Sequence, residues 1–85
     1  MLKKTYSKAW VYKTSDRFRS GIPDIIICYK GRFLAIELKT VKNDATKLQR
    51  HELNKIIESG GSAVVCRSVK EVKSFMEGRW IENEK

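Results

Sequence analysis

The chain has one proline, one histidine and two cysteines among its 85 residues. It also has no apolar run approaching the roughly 20 residues that a membrane helix needs. Cys28 and Cys66 lie in apolar runs, with neither a His nor a second Cys at metal-ligand spacing. That pattern argues against a zinc site and gives a disulfide little support. Both cysteines are expected to be small buried hydrophobes. The opening "MLKKTYSKAW" lacks the apolar segment of a signal peptide, so the expected location is intracellular and cytoplasmic. No repeat or low-complexity stretch interrupts the chain, which reads as a single domain over 1–85 with its core at about 9–77.

Acids are also scarce. Ten Asp and Glu face 18 Lys and Arg, a net charge of +8. An excess of this sign favours an anionic partner, with nucleic acid first among the candidates, although solubility alone also favours net charge. The cations are scattered (Lys3, Lys4, Lys8, Lys13, Arg17, Arg19, Lys39, Lys42, Lys47, Arg50, Arg67) rather than gathered in a tail. Scattered charge fits a folded surface that follows a phosphate backbone. A chain this short buries only roughly 60–65% of its unfolded surface, so its core is thin and a homodimer is expected.

"KAWVY", Lys8 to Tyr12, predicts a first strand, and "KTSDRFRSG" a polar loop. Pro23 favours an extended Ile22 and cannot donate to a ladder, which suits the start of a strand. Asp24 to Tyr29 is a nearly continuous apolar run, the mark of a strand covered on both faces. Lys30-Gly31 predicts a tight turn, and Arg32 to Thr40 the second strand of the hairpin. The period then becomes helical, with Leu48, Leu53, Ile56 and Ile57 as the apolar stripe and Gly60-Gly61 as the stop. Thr46 and Gln49 have capping-box spacing. "SAVVCR" predicts another strand. Ser68 and Glu71 mark a second capping box, opening a helix with Val69, Val72, Phe75 and Met76 inside and Gly78 at its end. Beyond it, Trp80 would pin the tail. The order is that of an α/β domain, a mixed β-sheet flanked by helices.

The hairpin allows a register count. With a loop centred on Lys30-Gly31, Tyr29 faces Arg32, Cys28 faces Phe33, Ile26 faces Ala35, and Asp24 faces Glu37. Alternation sets Glu37 and Lys39 on one face and Leu34, Ile36 and Leu38 on the other. With this even loop two carboxylates and an ammonium meet at one end of the hairpin, whereas a three-residue loop would slip the register and break the pairing. Opposed like charges destabilise a sheet, so the acids must share a proton or a cation. A hard divalent ion, Mg²⁺ or Mn²⁺, would take Asp24, Glu37 and the Leu38 carbonyl as ligands. Lys39 could then orient a water or offset charge on a phosphate. The same triplet could also be a plain lysine–carboxylate ion pair at a sheet edge.

The ordered string "GIPD", apolar strand, turn, strand ending "ELK", then "TKLQ" opening a helix that ends in "GG", resembles the VRR-NUC branch of the PD-(D/E)xK nucleases. Those domains are related to Holliday junction resolvases, and the resemblance runs from about Arg19 to Phe75. It implies a restriction-endonuclease-like fold and Mg²⁺- or Mn²⁺-dependent hydrolysis of duplex or branched DNA. Domains of this size in that family often occur in phage and bacterial genomes. By position, Asp24 and Glu37 match the metal-binding acids, Lys39 the catalytic lysine, and Gln49 the glutamine that follows on the helix. A capping role for Gln49 competes with that one. Ser20 stands where related resolvases place a serine near phosphate, and equally reads as a turn serine. Lys13, Arg17, Arg19, Lys42, Lys47 and Arg50 would meet the DNA backbone. The family's usual glutamate on a helix before the first strand has no counterpart here. Asp16, water or a second subunit would have to replace it. A DNA-binding module that has lost turnover is the alternative reading.

Overall fold

The structure, a computed structural model, describes residues 5–14 and 20–78. The described elements are β1 (Trp10–Lys13), β2 (Ile25–Tyr29), β3 (Arg32–Leu38), α1 (Lys47–Glu58), β4 (Ser62–Cys66) and α2 (Val69–Met76). The strands form one mixed sheet in the order β1-β2-β3-β4. β1, β2 and β3 pair antiparallel, and α1 carries the chain across so that β4 lies parallel to β3.

The β2–β3 hairpin has the two-residue loop read from the sequence. Lys30 and Gly31 both have positive φ, 53° and 77°, as the twist-compatible hairpin turn requires. Tyr29 therefore opposes Arg32, Cys28 opposes Phe33 and Ile26 opposes Ala35. β1 begins at Trp10, two residues later than expected, because the Ala9 N–H donates back to the Tyr6 carbonyl and closes a turn there.

Alternation along β3 sorts its side chains between two helices. Leu34 and Ile36 join Ile27, Val64 and Cys66 beneath Val72, Phe75 and Met76 of α2, with Tyr6 and Ala9 completing that cluster. Ala35 and Ala63 turn to the opposite face and receive Leu53 of α1. Each large side chain buried here contributes about 1.5–3 kcal/mol. Thr46 and Gln49 form the expected capping box. The Thr46 hydroxyl accepts from the Gln49 N–H, and the Gln49 side chain accepts from the Thr46 N–H.

Several readings are corrected. α1 packs on β4 and β3, so among the described residues no helix covers the β1–β2 part of its face. Cys28, on that side of β2, is exposed rather than buried. Cys66 is buried as expected, and burial pushes its thiol up to about 12. Glu71 does not complete a box with Ser68. Its carboxylate accepts instead from the Arg67 N–H, one residue earlier, at 2.6 Å. Leu48 and Val69 are exposed, because each stands in the first turn of its helix, beyond the edge of the core. Trp80 lies outside the described residues.

Candidate active site

The β2–β3 ladder runs from the turn to the Ile25–Ile36 pair, and one further step brings Asp24 beside the end of β3. There the Leu38 N–H donates to Asp24 Oδ2 at 2.8 Å. Two features that the sequence reading missed hold Asp24 in place. Thr14, just past β1, donates its N–H to the Asp24 carbonyl at 2.9 Å and its hydroxyl to the Pro23 carbonyl at 2.7 Å. Gly21, at φ +88°, lies against the first turn of α1. A Cβ there would stand 2.9 Å from Leu48 Cγ and 3.0 Å from the Leu48 carbonyl oxygen, so only glycine fits. The glycine of "GIPD" was a visible turn signal. Its helix contact was not visible, and nothing near Thr14 in sequence marks its role.

Glu37 is 2% exposed. Its Oε2 lies 3.5 Å from Lys39 Nζ, whereas Oε1 is buried with no hydrogen-bond partner among the described residues. Burial raises its pKa above 4.5 and the negative charge of Asp24 adds to the rise, while Lys39 opposes it. A sheet-edge ion pair thus accounts for one oxygen and leaves the other stranded, a costly arrangement in a protein interior. An orphaned carboxylate oxygen beside a second carboxylate fits a hard cation that takes oxygen ligands. Among the described residues no group of three His, Cys, Asp or Glu could hold a metal, so the acids number two. The Leu38 carbonyl lies in the stretch between Glu37 and Lys39, where it could add a third oxygen. Asp16, the acid considered as a replacement, lies outside the described residues.

The other expected site residues are more dispersed. Gln49 is engaged by its capping box with Thr46. Ser20, Lys42 and Lys47 are exposed, as is Lys13, which pairs with Ile25 at the site end of the sheet. Arg50 is ion-paired with Asp44, and the same carboxylate takes Arg67 Nη2 at 3.0 Å. Arg67 also donates to the Thr40 and Asn43 carbonyls, so it clamps the β3–α1 loop that follows the site. The Ala45 N–H and these arginines hold the Asp44 carboxyl below the usual range. Arg17 and Arg19 lie outside the described residues. A depression of about 590 Å³ lies by the hairpin turn, and no carboxylate lines it.

A four-stranded mixed sheet with two described helices, and with Asp24, Glu37 and Lys39 at one end, is an α/β, nuclease-like fold. A family model described as "VRR-NUC domain" matches residues 2–70, and the chain belongs to that family. A solved structure titled "VRR_NUC domain" is similar to it, with a TM-score of 0.74 and 24% identity over 93% of this chain and 89% of that one. At that identity the likeness speaks for the fold. No curated protein sequence matches the chain. Family membership makes this a nuclease-type domain with a DNA-related function. Among the described residues, no helix is long and apolar enough to cross a membrane.

Proposed function

We propose that the protein is a Mg²⁺- or Mn²⁺-dependent endonuclease that hydrolyses phosphodiester bonds in DNA. The observation that carries this reading is the unpartnered, buried Oε1 of Glu37 between Asp24 and Lys39. Asp24, Glu37 and the Leu38 carbonyl would hold the ion. Bound there, it would lower the pKa of a water and neutralise charge on the phosphate. Lys39 is ion-paired with Glu37, which keeps its ammonium beside that carboxylate. It would donate to the attacking water or to the phosphate oxygen on which charge develops. Asp24 is fixed by the Leu38 N–H on Oδ2 and by the Thr14 bonds to its main chain, and its other oxygen would be the one offered to the ion. Ser20, Lys42 and Lys47 would meet phosphates flanking the cut. Gln49 could join the site only by giving up its capping box, at about 1 kcal/mol.

A homodimer would present one site to each strand of a duplex or junction. Trp10 and Tyr12 of β1 and Phe33 of β3 are exposed large apolar side chains, and they support association of this small chain. The rival reading, a nuclease-fold module that binds DNA without turnover, draws on the two-acid count.

Cleavage of supercoiled plasmid and of a four-way junction, with Mn²⁺, Mg²⁺ or EDTA, separates the two. The expected result is metal-dependent product, lost by about 10²-fold or more in Asp24→Ala and Lys39→Ala. Retained DNA binding without metal-dependent product selects the binding module. Unchanged cleavage in either variant overturns the site assignment.

A further inference from the structure

β3 and β4 remain joined past their last ladder pair. Leu38 lies opposite Cys66, and the Lys39 N–H donates to the Cys66 carbonyl at 3.0 Å. Arg67, the next residue after β4, continues the join with its side chain. Its Nη1 donates to the Thr40 carbonyl at 3.3 Å and to the Asn43 carbonyl at 3.0 Å, and its Nη2 to Asp44 Oδ1 at 3.0 Å. The same Asp44 oxygen accepts from the Ala45 N–H and pairs with Arg50, in the first turn of α1. Arg67 is itself held in place, because its main-chain N–H donates to the Glu71 carboxylate at 2.6 Å.

We propose that Arg67 is a positioning residue for phosphodiester cleavage. It fastens the chain that leaves β3 to the end of β4, and so sets where the Lys39 ammonium stands beside Glu37. The inference rests on the nuclease reading above and adds to its site a residue that acts through Lys39 without touching DNA. Lys39 lies between two fastened points, its own N–H on Cys66 and the following carbonyl, that of Thr40, on Arg67. Its side chain is only 18% exposed, and its ammonium lies 3.5 Å from Glu37 Oε2, so a shift of its main chain moves that ammonium relative to the acids. A misplacement of about 1 Å in a reacting group can cost about 10²-fold in rate.

The guanidinium does here what an ammonium cannot. Arg presents its donors in a rigid planar fork, whereas Lys is a single flexible point of charge. Both hydrogens of Arg67 Nη1 go to carbonyls of its own chain, and Nη2 goes to a carboxylate, so these donors are spent on the loop and not on phosphate. A clamp and a DNA contact therefore differ in what a lysine at this position would retain. It would keep the attraction for phosphate and lose the clamp.

The test uses the full chain, with Arg67→Lys, Lys39→Ala and the double variant compared with wild type after thermal melts show each folded. Asp44→Asn loosens the same clamp from the loop side and repeats the comparison if Arg67→Lys does not fold. For the plasmid or junction that wild type cuts with Mn²⁺, Arg67→Lys should lower kcat about tenfold or more and leave KM within about twofold. In the Lys39→Ala background the same substitution should lower kcat no further, since the group it positions is gone. Amide hydrogen exchange should show the Lys39 N–H losing protection in Arg67→Lys while the β1–β2 ladder keeps its own. An unchanged kcat, a rise in KM alone, an equal further loss in the Lys39→Ala background, or unchanged exchange at Lys39 overturns the proposal. If wild type never cleaves with Mn²⁺, the nuclease reading falls. Exchange at Lys39 then decides the clamp by itself: lost protection upholds it and equal protection overturns it.

Discussion

At Glu37, burial, a neighbouring acid and a neighbouring lysine act on one carboxylate, and the pKa records which of them wins. Burial and Asp24 outweigh Lys39, so the folded pKa lies above 4.5, where the unfolded group titrates. Below 4.5 both states carry the proton and Glu37 has no effect on stability. As pH rises through the window above that value, the folded protein still binds a proton that the unfolded chain has released, so stability falls. Above the raised folded value the penalty is constant. Glu37→Gln should remove this slope in EDTA and raise stability at neutral pH by about 0.5–2 kcal/mol, as relieving a strained functional group does. Urea unfolding from pH 4 to 8 measures it, and curves that overlay wild type would show that Glu37 bears no strain. The same variant should lose any rise in melting temperature produced by Mn²⁺, because a ligand of the ion is gone.

Among the elements, the approach of the Gly21 loop to α1 has the clearest consequence. Gly21→Ala must force both a positive φ and a contact with the Leu48 main chain, whereas Gly31→Ala meets a positive φ in open space. Gly31→Ala should therefore cost about 1 kcal/mol, and Gly21→Ala clearly more, in the range of about 2–3 kcal/mol. Urea midpoints give the comparison, and equal losses would mean that the loop yields. Cleavage should also fall in Gly21→Ala alone, since that loop leads directly into Asp24. The elements themselves were largely legible. The hairpin, the helix periods and the Thr46 cap are local patterns set by residues a few positions apart. The Glu71 contact was not legible, because a carboxylate that can reach Ser68 can equally reach Arg67, and packing decides between them.

For the whole molecule, the +8 charge predicts DNA binding that weakens steeply with salt. Lys42→Ala and Lys47→Ala should each lower the slope of log K against log salt by about 1 if they meet phosphates. Arg50→Ala should change it less, because Asp44 already neutralises that arginine. Anisotropy titrations at several salt concentrations read all three. A loss in Arg50→Ala equal to that of the lysines would show that DNA displaces Asp44. The sheet is also unevenly clothed. Among the described residues, α1 packs on β4 and β3 and α2 on β4, so the β1–β2 part of the α1 face carries no helix there.

By itself the sequence determined that a hairpin turns at Lys30-Gly31 and favoured the two-residue loop, which the positive φ of both residues then settled. With that loop, strict alternation brings Asp24, Glu37 and Lys39 to one end. It also determined the family and the order of the elements, through the spacing of turns, apolar runs and charges. The tertiary structure decided which of these groups are free to act. Gln49 is held by its cap and Arg50 by Asp44, Cys28 faces solvent, and Thr14 anchors the main chain at Asp24. Each of these depends on contacts or cover from elsewhere in the fold, or on which of several near neighbours a side chain takes. The stranded oxygen of Glu37 is of the same kind. A carboxylate in a sequence is only an acid, and the packing of α1, β3 and β4 around this one buries it beside another.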